Sequence, residues 1–344
     1  MSDKQSIVVV GGGTGAYTLL SGLKEYQDTI DITAIINMSD SGGSTGRLRD
    51  QFGQLPVGDV RMALAALADE NTEHAGLLRQ LFMYRFAQGD GLSGHSFGNL
   101  FLTALTDILG SEAEAVAAAG ELLNVSGRVV PVTADNVHLV ATYDDGVTIT
   151  GEHAIDAPAE DRTGRRIVEL RTEPAGRLSA EADKALRNAD VIVIGPGDLY
   201  SSLLANIVID GFAEAVARSR GRVVYVANLM ERIGQTEGMS VTDCTNEIGR
   251  YLGVNPDIVL LNQAALPAAV VKHYRESEGT KPVLDDSEKL ASRIVRADIV
   301  RGERAASVAG DEVQRSLIRH EPKALAVAIV GLLEDSKLAA KRAM

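Results

Sequence analysis

Apolar residues fall in short runs that stop at glycines, and two periods alternate along the chain. Residues 7–10 (IVVV) form a β-branched run ending in a glycine turn, which predicts a strand buried on both faces. Leu19, Leu20 and Leu23 follow at helical spacing within residues 17–26, and residues 31–37 (DITAIIN) predict a second strand. Strand, glycine turn, helix and strand make a βαβ unit, and its right-handed crossover seeds a parallel sheet.

Residues 59–123 then read as almost wholly helical, with helices expected at 59–69, 75–86, 98–109 and 112–123. Residues 137–143 and 147–151 flank Asp144-Asp145-Gly146, a hairpin signal. Residues 156–166 (DAPAEDRTGRR) are the most loop-like stretch and mark a soft internal boundary. Alternation resumes beyond it. Strands are expected at 167–170, 191–194, 223–227 and 258–261, and helices at 180–188, 211–219, 241–252 and 266–276. A last helix begins near Pro322, a residue suited to a first turn. The expected fold is α/β: a Rossmann-like, doubly wound, mostly parallel sheet with an inserted helical layer at about 59–123 and a small β-hairpin. The whole chain, 1–344, is expected to form one domain.

Composition narrows the partners. Lys and Arg number 34 against 47 Asp and Glu, a formal charge of −13, so neither nucleic acid nor an anionic membrane is an expected partner. The absence of tryptophan and the 4% aromatic content argue against a base- or sugar-stacking groove. Cys244 is the single cysteine, which excludes an internal disulfide and a cysteine-cluster zinc site and points to a reducing, cytoplasmic compartment. The opening MSDKQSIVVVGGG has too short an apolar run for a signal peptide, and no stretch approaches the ~18 apolar residues of a membrane span. Glycine is the outlier at 34 residues, and much of it sits at strand ends.

Those strand ends carry the candidate chemistry. Gly11-Gly12-Gly13-Thr14-Gly15 lies between a strand and a helix, where backbone N–H groups and a helix terminus attract a phosphate. It is neither a strict GxGxxG nor a Walker loop. The loop Asp40-Ser41-Gly42-Gly43-Ser44-Thr45-Gly46-Arg47 follows the second strand and opens on the same sheet edge. Asp40 suits a ribose hydroxyl or a metal, and Arg47 a phosphate. Asp59 reads as a helix cap, with Arg61 one turn on. His95, in Gly94-His95-Ser96-Phe97-Gly98-Asn99, is the histidine best placed for acid–base work, though a lone histidine is more often structural. Gly195-Pro196-Gly197-Asp198-Leu199-Tyr200 again follows a buried strand. Asp198 either caps the next helix or binds Mg²⁺, in which case Asp40 and Asp198 would share one ion. Asn228 closes the series beyond a further strand.

Taken together and in order, GGGTG, SDSGGSTGRLR, LPVGDVR, YRF, GHSFGN, GPGDLYSS, NLM and GQTEG resemble the YvcK, or gluconeogenesis factor, family. That family shares its fold with CofD, the 2-phospho-L-lactate transferase of deazaflavin synthesis. The resemblance continues more weakly through VVKHYRESEGTKPV and LIRHEP. It implies a cytosolic protein that binds a UDP-sugar such as UDP-N-acetylglucosamine and acts in carbon metabolism, cell-wall supply and cell shape. Carried onto this chain, it implies nucleotide contacts at Gly12, Gly13, Thr14, Asp40, Gly43, Ser44, Arg47, Gly195, Gly197 and Asn228. Tyr274 would stack on a base and Arg319 would pair with the diphosphate; without the resemblance they read as a helix-surface aromatic and a solvated arginine.

Four positions depart from the family pattern. Ser41 replaces a second acid, Asp198 replaces a serine, Met62 replaces an amide, and Cys244 replaces a histidine. Two functions follow from the resemblance. One is a nucleotide-sugar sensor whose occupancy sets contacts with a protein partner or a second copy of the chain. The other is a CofD-like transferase, in which Asp40 and Asp198 hold a metal while a phospholactyl group moves from a guanosine-diphosphate donor to a deazaflavin. An NAD-dependent dehydrogenase fits less well, because the glycine fingerprint is imperfect.

Overall fold

The computed structural model describes residues 4–301 and 317–343. The chain order is β1 (Gln5–Gly11), α1 (Gly13–Leu23), β2 (Ile30–Ile36), α2 (Gly43–Phe52), α3 (Gly58–Leu67), α4 (Glu73–Met83), α5 (Phe97–Leu109), α6 (Glu112–Leu122) and β3 (Arg128–Pro131). Then come β4 (His138–Tyr143), β5 (Thr148–Thr150), α7 (Glu152–Asp156), β6 (Ile167–Glu173), α8 (Ala180–Arg187) and β7 (Val191–Ile194). A π-helical turn (Leu199–Leu204) runs into α9 (Ala205–Ile207), followed by α10 (Phe212–Ala217), β8 (Arg222–Val226), α11 (Val241–Leu252), β9 (Ile258–Asn262), α12 (Ala268–Ser277), β10 (Arg293–Ala297) and α13 (Pro322–Ala343).

Seven strands form one wholly parallel sheet in the order β10-β9-β8-β7-β1-β2-β3. This is the doubly wound arrangement: the chain builds outward from β1 to β3, then returns to the other side of β1 with β7. Ile7, Val8, Val9 and Val10 of β1 are completely buried, as a central strand covered by helices on both faces requires. Serine hydroxyls cap several helices. Ser96 accepts from the Asn99 N–H at the start of α5, and Ser240 forms a capping box with Asp243 on α11. Among the described residues no helix is long and apolar enough to cross a membrane.

Four features differ from the sequence reading. Residues 43–52 are a helix, α2, where a loop was expected; glycines open it and Gly53 ends it in a left-handed conformation. Two edge strands, β3 and β10, are absent from the expected set. β3 is four residues long and alternates in exposure, and β10 has no fully buried residue, so a search for apolar runs passes over both. The hairpin of β4 and β5 is real, but β6 pairs with β4 antiparallel instead of resuming the parallel sheet, giving a three-stranded sheet β5-β4-β6. Finally, the chain between that sheet and the 156–166 loop forms the short helix α7.

Candidate functional site

The strand order reverses between β1 and β7, and the loops leaving those two strands meet there. The Gly195 N–H continues the ladder to the Val10 carbonyl at 3.0 Å. A Cβ on Gly15 would collide with the Pro196 carbonyl and sit 2.9 Å from the Gly197 nitrogen, so the first glycine loop and the 195–198 loop lie in contact. Side-chain amides fasten the neighbouring turns. Asn228 donates to the Gly197 carbonyl at 2.7 Å, while Asn206 and Asn37 donate to the Gly11 and Ser201 carbonyls at 3.2 and 3.3 Å. The backbone N–H of Asn37 reaches the Gly11 carbonyl at 3.1 Å. Loops from β1, β2, β7 and β8 therefore share one rim, the usual ligand position in such sheets.

Carboxylates crowd this rim. Asp59 comes down from α3 onto the glycine loop, where a Cβ on Gly12 would strike its carboxylate. Asp40 accepts from the Gly42 N–H at 2.9 Å and from the Thr45 hydroxyl. Burial raises the Asp40 carboxyl above the ordinary range; those hydrogen bonds oppose the rise, the Asp156 charge adds to it and Arg61 opposes it. Burial raises Asp198 as well, against the pull of Arg232 and with a further push from Asp156.

The sequence reading missed α7. Its Glu152 and Asp156 are four residues apart and share one helix face. Burial drives the Glu152 carboxyl well above its ordinary range, helped by Asp40, Asp156 and Asp59. Ser41 fixes the helix start by accepting the His153 N–H at 3.0 Å. The legible signal was E-x-x-x-D just after a glycine-ended strand. Arg232, also missed, lies 3.6 Å from Asp156 and 3.7 Å from Asp198, and both charges hold it as a cation. Gln235 is 1% exposed and donates to Asp156 at 2.7 Å, leaving its Oε1 buried without a partner.

These groups bear on Mg²⁺. Asp40 and Asp198, expected as one pair, are linked through Asp156, whose charge reaches both. The donor set of Asp40, Asp156, Asp198 and the orphaned Gln235 oxygen is hard oxygen throughout and suits a divalent cation by donor type. Among the described residues, no three His, Cys, Asp or Glu side chains already converge as a metal site.

A second polar group lies behind α2. Ser44, Thr45, Arg61, His95 and Asn99 are all buried. Arg61 Nε donates to Asn99 Oδ1 at 2.8 Å, Asn99 Nδ2 reaches Ser44 Oγ at 3.2 Å and Thr45 Oγ1 at 3.4 Å, and Ser44 Oγ is 3.0 Å from His95 Nδ1. Gly42, Gly43 and Gly46 lie at the start of α2. Arg47 is on the exposed side of that helix and donates to the Ser93 carbonyl at 3.1 Å.

The remaining expected residues separate. Gly11, Gly12, Gly13, Thr14 and Gly15 stand at the β1–α1 turn, and Gly195, Pro196 and Gly197 at the end of β7. Tyr200 is 2% exposed; its hydroxyl turns from the rim to bond the Ile167 carbonyl and Glu247, so it ties the π-helical turn to β6 and α11. Tyr274 is buried beside Val270 and Ile318 and accepts the Leu317 N–H at 2.7 Å, which corrects its reading as a surface aromatic. Arg319 is half-buried; the next residue, His320, bonds the Ala227 carbonyl at the end of β8.

Fold and rim define a doubly wound α/β protein whose loops gather at the topological switch point, where such sheets usually bind ligands. Its sequence matches the model of the family described as 2-phospho-L-lactate transferase CofD over residues 7–300. A putative gluconeogenesis factor of Nostoc sp. is 43% identical over 93% of this chain and 67% of its own length. One from Thermotoga maritima is 40% identical over 84% of this chain and 88% of its own length. A crystal structure of a UPF0052 family member from Bacillus halodurans superposes with a TM-score of 0.84 at 35% identity, covering 96% of this chain and all (100%) of that one. The chain belongs to the gluconeogenesis factor (YvcK) family, within the CofD-like fold.

Proposed function

We propose that the switch-point cleft binds a nucleotide sugar of the UDP-N-acetylglucosamine type, and that occupancy of the cleft is the signal the protein transmits. The supporting observation is the contact of the Gly11–Gly15 and Gly195–Gly197 loops at the point where strand order reverses. Backbone N–H groups there suit a diphosphate. The rim itself is acidic, with Asp40, Asp59, Glu152, Asp156 and Asp198 set against Arg61 and Arg232. A diphosphate entering such a rim requires cationic compensation, which Mg²⁺ held by Asp40, Asp156 and Asp198 would supply together with Arg232. In this reading the protein is cytosolic, and the bound state sets contacts with a regulatory partner or with a second copy of the chain, linking sugar-nucleotide supply to carbon metabolism and cell shape.

The CofD-like transferase is the second reading. The family match over residues 7–300 and the raised Asp40 and Glu152 carboxyls, which could take a proton from an acceptor hydroxyl, favour it. The lack of tryptophan weighs against a wall for a deazaflavin ring.

Calorimetric titration with UDP-N-acetylglucosamine, with and without Mg²⁺, tests the first reading. Saturable binding that tightens with Mg²⁺ is expected, and no binding at millimolar ligand overturns it. Formation of a transfer product from the activated phospholactyl donor and a deazaflavin would establish the second.

A further inference from the structure

One carbonyl fixes the hydrogen positions of a short chain of groups that ends at the glycine turn after β7. The Gly197 carbonyl can only accept, so the Asn228 atom 2.7 Å from it is the amide nitrogen. Asn228 Oδ1 then faces the other way, 2.8 Å from the Tyr225 hydroxyl. Two oxygens at that distance need a proton between them, and the amide oxygen carries none. Tyr225 therefore donates to Asn228. The phenol is completely buried, and that burial, with Cys244 beside it, holds its pKa well above the ordinary range, so the proton is present at neutral pH.

The effect reaches the rim in two places. Asn228 is half-buried, and its Nδ2 carries a second proton that no protein group accepts among the described residues. The Gly197–Asp198 peptide is trans, so a Gly197 carbonyl drawn to Asn228 turns the Asp198 N–H to the opposite side. That N–H also has no protein partner among the described residues. Both donors flank Gly197, whose nitrogen lies 2.9 Å from where a Cβ on Gly15 would stand, against the first glycine loop.

We propose that Tyr225 is a positioning residue of the switch-point cleft: its hydroxyl fixes the Asn228 amide, and the amide fixes the Gly197 carbonyl, so that Asn228 Nδ2–H and the Asp198 N–H are held as donors for an acceptor oxygen of the ligand. Tyr225 is sealed from the cleft and acts only through Asn228. An amide without the phenol proton is free to turn over and present its oxygen, which repels the same ligand atom. The identity of the ligand rests on the nucleotide-sugar reading; the order imposed on Asn228 does not.

A double-mutant cycle in the full chain, read by titration calorimetry with UDP-N-acetylglucosamine and Mg²⁺, tests the linkage. Tyr225→Phe keeps the ring in the core and removes only the hydroxyl, and circular dichroism confirms that each variant is folded. Tyr225→Phe should weaken binding about fivefold, as loss of one neutral hydrogen bond does. Asn228→Ala should weaken it further, and Tyr225→Phe added to Asn228→Ala should then change nothing more. A merely structural tyrosine gives the same loss in both backgrounds, which overturns the proposal, as does a Tyr225→Phe protein that binds as tightly as wild type. NMR of the ligand-free chain gives a readout independent of the sugar. The Asn228 amide proton held by Gly197, assigned by its loss in Asn228→Ala, should exchange with solvent roughly tenfold faster in Tyr225→Phe than in wild type. Equal exchange overturns the positioning role while leaving the nucleotide-sugar reading standing. A wild-type chain that binds no UDP-sugar but shows the exchange difference removes that reading and keeps the hold of Tyr225 on Asn228.

Discussion

Arg232 stands 3.7 Å from Asp198 and provides the balancing charge on that side of the rim. Its removal by Arg232→Gln leaves Asp198 and Asp156 facing each other without a cation. The Arg232 side chain is 35% exposed, so the expected loss is about 1–3 kcal/mol, less than for a fully buried pair. The loss should be largest at neutral pH and shrink toward pH 4, as Asp198, whose carboxyl burial raises, takes up a proton. Urea denaturation at the two pH values measures it.

The contact between Gly15 and the Pro196 carbonyl has no slack, because backbone lies on both sides. Gly15→Ala must push the two loops apart, at an expected cost of about 1–3 kcal/mol. Gly76→Ala, in α4, meets nothing within 4 Å and should gain roughly 0.5–1 kcal/mol from helix propensity. Paired chemical denaturation curves separate close approach from the general effect of removing a glycine.

Glu112 lies in the wall of a cavity of about 530 Å³ between α6 and the edge strand β3. Burial pushes its carboxyl up to about 7, against one hydrogen bond from the Leu55 N–H, and its Oε1 has no partner. A carboxyl raised on folding contributes stability below its unfolded pKa, near 4.5, and that contribution is lost as pH rises through about 7. Glu112→Gln resembles the protonated form. It should leave stability unchanged at pH 4.5 and raise it by about 1–3 kcal/mol at pH 8.5, as thermal unfolding at both values would report.

Arg47→Ala should weaken UDP-sugar binding more than tenfold while leaving the fold intact, since the side chain is exposed and, among the described residues, bonded only to the Ser93 carbonyl. Titration calorimetry checks the affinity, and circular dichroism the fold. Equal affinity in the variant removes Arg47 from the site.

The parallel sheet was legible because its inner strands, such as IVVV at 7–10 and VIVI at 191–194, are apolar on both faces and end at glycines. The glycine turns at their ends were legible for the same reason. β3 and β10 stayed hidden because they are short edge strands broken by arginines and a proline; RVVP and RIVRA give neither an apolar run nor a clear alternation. The helix at 43–52 looked like a loop because it starts with glycine and serine, and local composition outweighed the buried Leu48 and Arg49. In the site, residues on one loop were easier to find than residues that arrive from elsewhere. Glu152 and Asp156 come from the small antiparallel sheet, and Arg232 from the loop after β8, so only tertiary structure joins them to Asp40 and Asp198.

The placement of α7 has an evolutionary corollary. Two of the rim's acids hang from a three-stranded appendage, while the glycine turns belong to the seven-stranded frame. Descendants of one ancestor can exchange this acidic finger for another without disturbing the parallel frame that carries the glycine turns. Divergence in ligand preference among related chains should therefore concentrate between residues 138 and 173, the segment of the appendage.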